Sequence, residues 1–157
     1  MRKRILPTAA VGLLLAATVI FIFSQSLTPA AVSNQSSGAV TRDLLPMLRP
    51  VVEAIRGPLS AQQIHHFVRK AAHFCEFALL GGELALLLWT LGRRVLFSLY
   101  PPLFWGLSIA VTDEYLQSFL DRSPQVSDVV LDFSGVMAGI AAVLLLQELI
   151  RLLRQPK

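Results

Sequence analysis

Ten side chains stand at spacings that would let them act on chemistry together. Arg69, His73 and Glu76 fall at i, i+4 and i+7, one face of a 3.6-residue repeat, with Lys70 beside them. Asp113, Glu114 and Gln117 follow, the glutamine one turn from both acids; then come Arg122 and the pair Asp128 and Asp132, again one turn apart. A histidine within a turn of a carboxylate in a partly dry site is how proton-transfer groups are tuned, so His73, Glu76 and Asp113 form the candidate catalytic set. Arg69, Lys70, Glu114, Gln117, Arg122, Asp128 and Asp132 form the candidate binding set: the cations would engage phosphate or carboxylate, and the acids would pair with them and fix the pocket. Oxygen ligands among the acids would also suit a divalent ion, although the pattern names neither a metal nor a cofactor.

The elements that must position these groups are membrane helices. The chain has 157 residues and 17.2 kDa, enough for one domain, and 54% hydrophobic content with mean hydropathy +0.61 and only 15% charged residues is far more apolar than a soluble domain needs. Nine Pro and nine Gly are too few and too scattered for a disordered or fibrous chain, and the lone Cys75 excludes an internal disulfide framework. A span needs roughly 20 mostly apolar residues, and residues 5–23, 71–91, 102–119 and 129–149 come close. The expected fold is therefore all-α: a four-helix transmembrane bundle forming a single domain over residues 1–157. Arg2, Lys3 and Arg4 before the first apolar run, with Thr28, Pro29, Ala30 and Ala31 after it, resemble a signal peptide. The run exceeds the roughly 7 to 15 residues of a secretory core, so an uncleaved anchor is preferred.

Charge placement sets the expected orientation. The two ends and the turn after the second span hold Arg2, Lys3, Arg4, Arg93, Arg94, Arg151, Arg154 and Lys157, eight bases against the single acid Glu148, and belong inside. Both termini are then cytoplasmic, and the formal charge of +4 with a pI of about 9.8 needs no nucleic-acid partner. Between the first two spans lies an outer segment of about 45 residues that opens with a polar linker at 33–38. Leu44, Leu45, Leu48, Val51, Val52 and Ile55 then recur at helical spacing, as for a helix on the bilayer surface, but Pro46 and Pro50 point to a kinked or two-piece segment. Ser60 with Gln63 forms a capping box, and Leu59 with Ile64 a hydrophobic staple, so the next helix should begin near Ala61, with His65 and His66 beyond the membrane. Those two histidines are adjacent, so their rings point apart and they make a poor metal pair.

With this topology the polar groups of three helices reach one depth near the outer boundary. Any one of them has an ordinary explanation: Asp128 complements a helix N-terminus, and Arg122 can face water. The set does not, because an acid at the centre of a span costs about 2.5 to 3.5 kcal/mol, less toward the interface, and Glu76, Asp113 and Asp132 all lie within the apolar pattern. Gly135 and Gly139 follow Asp128 and Asp132 on one face, a small-residue pattern that lets backbones approach and would draw the carboxylates toward the second and third helices. Glu83 lies about 10 Å deeper than Glu76. It is expected either to be protonated or to bond Ser108 or Thr112; no further acid lies between it and the cytoplasmic end, so it does not make a proton path.

Taken in order, Arg69-Lys70-Ala71-Ala72-His73-Phe74-Cys75-Glu76-Phe77, then Asp113-Glu114-Tyr115-Leu116-Gln117, Arg122 and residues 128–135 resemble the signature of the VanZ-like family of small bacterial membrane proteins. The likeness runs from Phe23-Ser24-Gln25-Ser26 to Gly139; Glu83, Ser123-Pro124 and the proline-bearing outer segment depart from the commoner pattern. The resemblance implies a place in the bacterial cytoplasmic membrane and an association with lowered susceptibility to glycopeptide antibiotics, notably teicoplanin. It supplies no catalytic roles. P-loop, dinucleotide, zinc-protease and nucleophile-elbow motifs are missing from the sequence. Two classes of function remain. One is binding or modifying a lipid head group, a lipid-linked cell-wall precursor or the glycopeptide itself at the outer face. The other is a membrane-embedded hydrolase or transferase on a lipid-linked substrate, with His73 or Glu76 as base and Arg69 or Arg122 steadying negative charge. Whether there is turnover is left open.

Overall fold

A computed structural model describes residues 2–29, 60–120 and 125–154, together with helical backbone at Pro46, Pro50 and Ala54. Arg122 and the remainder of the expected surface segment, Leu59 included, lie outside the described residues. Four α-helices are described: α1 (Arg2–Ser26), α2 (Ala61–Thr90), α3 (Tyr100–Gln117) and α4 (Val126–Leu153), with a 3-10 turn at Val95–Phe97 between α2 and α3. No strand occurs among the described residues. The all-α bundle read from the sequence is the fold, with α1 and α4 each extending several residues past the expected apolar limits.

Among the described residues, three helices are long and apolar enough to cross a membrane, at Leu6–Ser26, Gln62–Thr90 and Val126–Leu153, and the protein is a membrane protein. Helix α3 is the exception to the expectation of four such spans. It has 18 residues, about 27 Å at the helical rise, and starts and ends two residues before the expected limits of 102 and 119. Its last turns carry Asp113, Glu114 and Gln117, which lower its apolarity.

The boundaries follow from local chemistry. Ser60 Oγ accepts from the Gln63 amide at 3.2 Å and Gln63 Oε1 accepts from the Ser60 amide at 2.9 Å, so two of the amides that a helix start leaves unpaired are satisfied reciprocally. At the other end Gly92 adopts φ 80°, a left-handed conformation that costs a residue without Cβ nothing. Its amide bonds Trp89 O at 2.9 Å and the Arg93 amide bonds Leu88 O at 3.0 Å, which terminates α2. The Val95 amide then donates to Gln147 Oε1 at 3.3 Å, tying the α2–α3 turn to α4. The same end carries Glu148, which pairs with Arg151 at 3.1 Å and Arg94 at 3.6 Å, and Arg94 also stacks 5.0 Å from the Phe97 ring.

Helices α2 and α4 make the most extensive contact in the bundle. A Cβ placed on Gly135 would lie 2.5 Å from Phe74 O, and one on Gly139 would overlap Ala78 O and the Gly82 amide. Reciprocally, a Cβ on Gly81 would overlap the Val136 backbone. The expected role of Gly135 and Gly139 is thus met against α2; α3 is engaged differently, through Gly106 closing on the Val136 side chain. Phe77, Leu80, Ala85, Ala110, Val136 and Ile140 fill the core that results. Helix α1 joins along one stripe, where Thr18, Ile22 and Ser26, spaced four residues apart, are all buried. Its other faces, with Leu13, Leu14, Ile20 and Phe21, stay open, as do Leu145, Leu149 and Leu152 of α4 and Phe104 and Trp105 of α3. In a bilayer those apolar faces meet lipid tails, which are as apolar as they are.

Close backbone contact predicts a position-specific penalty. Gly139→Ala should lower unfolding stability in detergent by about 1 to 3 kcal/mol through overpacking. Gly12→Ala, where the added carbon meets nothing within 4 Å, should be neutral or slightly stabilising.

Candidate functional site

One end of the bundle gathers what the other lacks. Seven of the ten sequence-derived residues, Arg69, Lys70 and His73 of α2, Glu114 and Gln117 of α3, and Asp128 and Asp132 of α4, line a single pocket with Leu131. Asp113 stands behind this lining, fully buried. Glu76 is close enough to Asp113 and Asp132 for their charges to act on one another. Arg122 lies outside the described residues, so nine of the ten are placed in one neighbourhood.

The pocket is built by bonds between helices. Lys70 Nζ meets Asp128 Oδ1 at 2.6 Å, which joins α2 to the first turn of α4 and commits that lysine to an acid. Glu114 Oε1 accepts from the Gln125 amide at 2.6 Å, so a carboxylate of α3 caps the start of α4, where the helix dipole favours negative charge. Gln117 Nε2 donates to Asp113 Oδ2 at 2.8 Å, the one-turn relation read from the sequence. Ser26 of α1 donates to Asp113 Oδ1 and also lies 2.8 Å from the Ile22 carbonyl. Asp113 is therefore held from both sides by groups of α1 and α3. Arg69 has no ion-pair partner among the described residues, and its side chain lines the pocket.

Three helices converge most tightly at His73, Asp113 and Asp132. One ligand-capable atom from each lies within 4.8 Å of the others. Asp132 is 2% exposed, and its Oδ1 has no hydrogen-bond partner among the described residues. Such a group costs free energy unless something satisfies it. The like charges of Asp113, Asp128, Glu114 and Glu76 all bear on Asp132. A second, wider groove shares Arg69, Lys70 and Leu131 with the pocket and continues past Phe67, Ala71 and Phe74.

Glu83 requires a correction. Its carboxylate accepts from Thr18 Oγ1 of α1 at 2.9 Å and does not bond Ser108 or Thr112. The two α3 hydroxyls donate to carbonyls of their own helix, Ser108 to Phe104 O at 2.8 Å and Thr112 to Ser108 O at 2.7 Å, and so are spent locally. Thr18 and Ser26 are the residues that reading the sequence missed. Both are small hydroxyls in an otherwise apolar span, and the signal that would have found them is their separation of two turns, which puts both on one stripe.

A family model described as VanZ/LLP1 matches residues 11–147. That stretch covers α1 from its third turn, the whole polar pocket and most of α4, and the chain belongs to the VanZ/LLP1 family. Comparison with curated proteins gives no match, and no solved structure matches either.

The Thr18–Glu83 bond predicts an asymmetric pair of mutants. Thr18→Val should cost about 0.5 to 2 kcal/mol because it leaves a buried carboxyl group without its donor. Thr18→Val combined with Glu83→Leu should recover most of that loss, as read by thermal unfolding in one detergent.

Proposed function

We propose that this protein works at the outer face of the bacterial cytoplasmic membrane, where its pocket binds or modifies the head group of a lipid or lipid-linked cell-wall precursor, and that its link to teicoplanin susceptibility acts through that ligand. The observation that carries the reading is Arg69: a cation without an acidic partner among the described residues, lining both a polar pocket and the groove beside it. An anionic head group would sit at Arg69, and an acyl chain would follow Phe67, Ala71 and Phe74. Lys70, already bonded to Asp128, serves to shape the pocket and is not the main anion ligand. The enclosed part of the pocket is about 20 Å³, room for about one water and far too little for a glycopeptide antibiotic, so a head group would sit at its mouth, where the wider groove begins. The antibiotic is thus the indirect partner. The orientation rests on the positive-inside rule: Arg93, Arg94, Arg151 and Arg154 stand at the end opposite the pocket, which supports a cytoplasmic side for both termini.

A second reading, a hydrolase or transferase on the same lipid-linked substrate, draws on the convergence of His73, Asp113 and Asp132. His73 beside a buried carboxylate suits a general base, with Glu76 adjacent and Arg69 available for developing negative charge.

Arg69→Gln in nanodiscs should weaken binding of a diphosphate-bearing lipid precursor about tenfold or more, the value of a charge-assisted hydrogen bond, while leaving the fold intact by circular dichroism. Equal affinity would remove the head-group reading. Expression of the wild type should reduce teicoplanin susceptibility in a host that lacks it, and Arg69→Gln should not; no change with the wild type would sever the antibiotic link. His73→Ala that still binds precursor but stops converting it would select the enzyme reading. Reporter fusions after Arg93 should report cytoplasm.

A further inference from the structure

We propose that His73, Asp113 and Asp132 bind a divalent transition-metal ion, with zinc the preferred occupant. Each residue comes from a different helix, and one ligand-capable atom of each lies within 4.8 Å of the other two, so that modest side-chain rotations would bring all three to the roughly 2.0 to 2.2 Å typical of zinc–nitrogen and zinc–oxygen bonds around a single ion. The independent observation is Asp132 Oδ1, an atom of a residue only 2% exposed, which has no hydrogen-bond partner among the described residues. A buried carboxylate oxygen left without a donor, in a cluster where four further acids repel its charge, calls for a cation. Neither cation of the pocket supplies it among the described residues: Lys70 is bonded to Asp128, and Arg69 forms no ion pair with Asp132.

The donor set selects the class of ion. Two carboxylates and a neutral imidazole give a divalent ion charge balance inside an apolar bundle. An imidazole nitrogen favours zinc or a neighbouring transition ion over magnesium or calcium, which prefer oxygen alone. Metal-ligating carboxylates are held in place by outer hydrogen bonds, and Asp113 has both of its oxygens so held, by Ser26 of α1 and Gln117 of α3. Each oxygen keeps a second lone pair for a metal. Three protein ligands leave one tetrahedral position for water or a head-group oxygen, facing the pocket that His73 and Asp132 line.

The proposal does not rest on the head-group reading, and it is tested without any lipid ligand. The full-length protein, purified in detergent and stripped with a chelator, is titrated with Zn²⁺ against a competing indicator and with Co²⁺ as an optical probe. The wild type should take up one equivalent, show visible cobalt bands displaced by zinc, and unfold at a higher temperature with zinc than without. His73→Gln and Asp132→Asn should each abolish stoichiometric uptake, Ser26→Ala should weaken it about 10- to 100-fold, and Glu83→Gln should leave it unchanged. If the wild type takes up no stoichiometric metal, or if His73→Gln and Asp132→Asn both retain it in full, the proposal is overturned. The wild-type titration alone decides should a variant fail to fold, and loss of precursor binding with metal uptake intact would count against the head-group reading only.

Discussion

The structure turns on one constraint: carboxylates that belong in water are held inside a bundle whose surroundings are apolar. Asp113 and Asp132 are essentially inaccessible, and Glu114 nearly so. Withdrawing such groups from water is tolerable only when neighbours supply donors or opposite charge. Each helix contributes to that compensation. Ser26 comes from α1, Lys70 from α2, Gln117 from α3, and the capped amide of Gln125 from the start of α4. The four helices are therefore tied at this end by directional bonds, whereas farther along they are joined mainly by the packing of Phe77, Leu80, Val136 and Ile140.

The two ends of the bundle answer different demands. Opposite the pocket, Arg94, Arg151 and Glu148 form partly exposed pairs of the kind that contribute little to stability. Their concentration at that end matters for insertion, because basic turns resist translocation. At the pocket end the charges are buried or half-buried, mixed in sign and spread over three helices. Such an arrangement is poor economy for folding alone, and the family to which the chain belongs matches across all of it.

Much of this was legible without coordinates. The capping box at Ser60 and Gln63, the common depth of Arg69, His73, Asp113 and Asp132, and the closeness licensed by Gly135 and Gly139 follow from spacing, and spacing survives folding in a helix. Three things did not follow. The inward stripe of α1 was not picked out because that span is apolar on every side and only the two-turn separation of Thr18 and Ser26 marks it. The partner of Glu83 depended on whether α1 or α3 lies beside it, which is a matter of helix order around the bundle and is not encoded in any local pattern. The capping of α4 by Glu114 depended on how the α3–α4 turn folds back, and a carboxylate eleven residues upstream gives no sign of it.

The glycine contacts between α2 and α4 have a mechanical consequence. Phe74, the residue next to His73, presents its carbonyl to Gly135, one turn below Asp132, so main chain rests on main chain immediately beneath the two side chains. Nothing compressible lies between them, and the gap from imidazole to carboxylate is gauged by the backbone, much as a jig sets the spacing of its jaws. α2 and α4 then move as one block. Any widening to admit a ligand has to come from the remaining wall, α3, where Gly106 meets only the side-chain methyls of Val136.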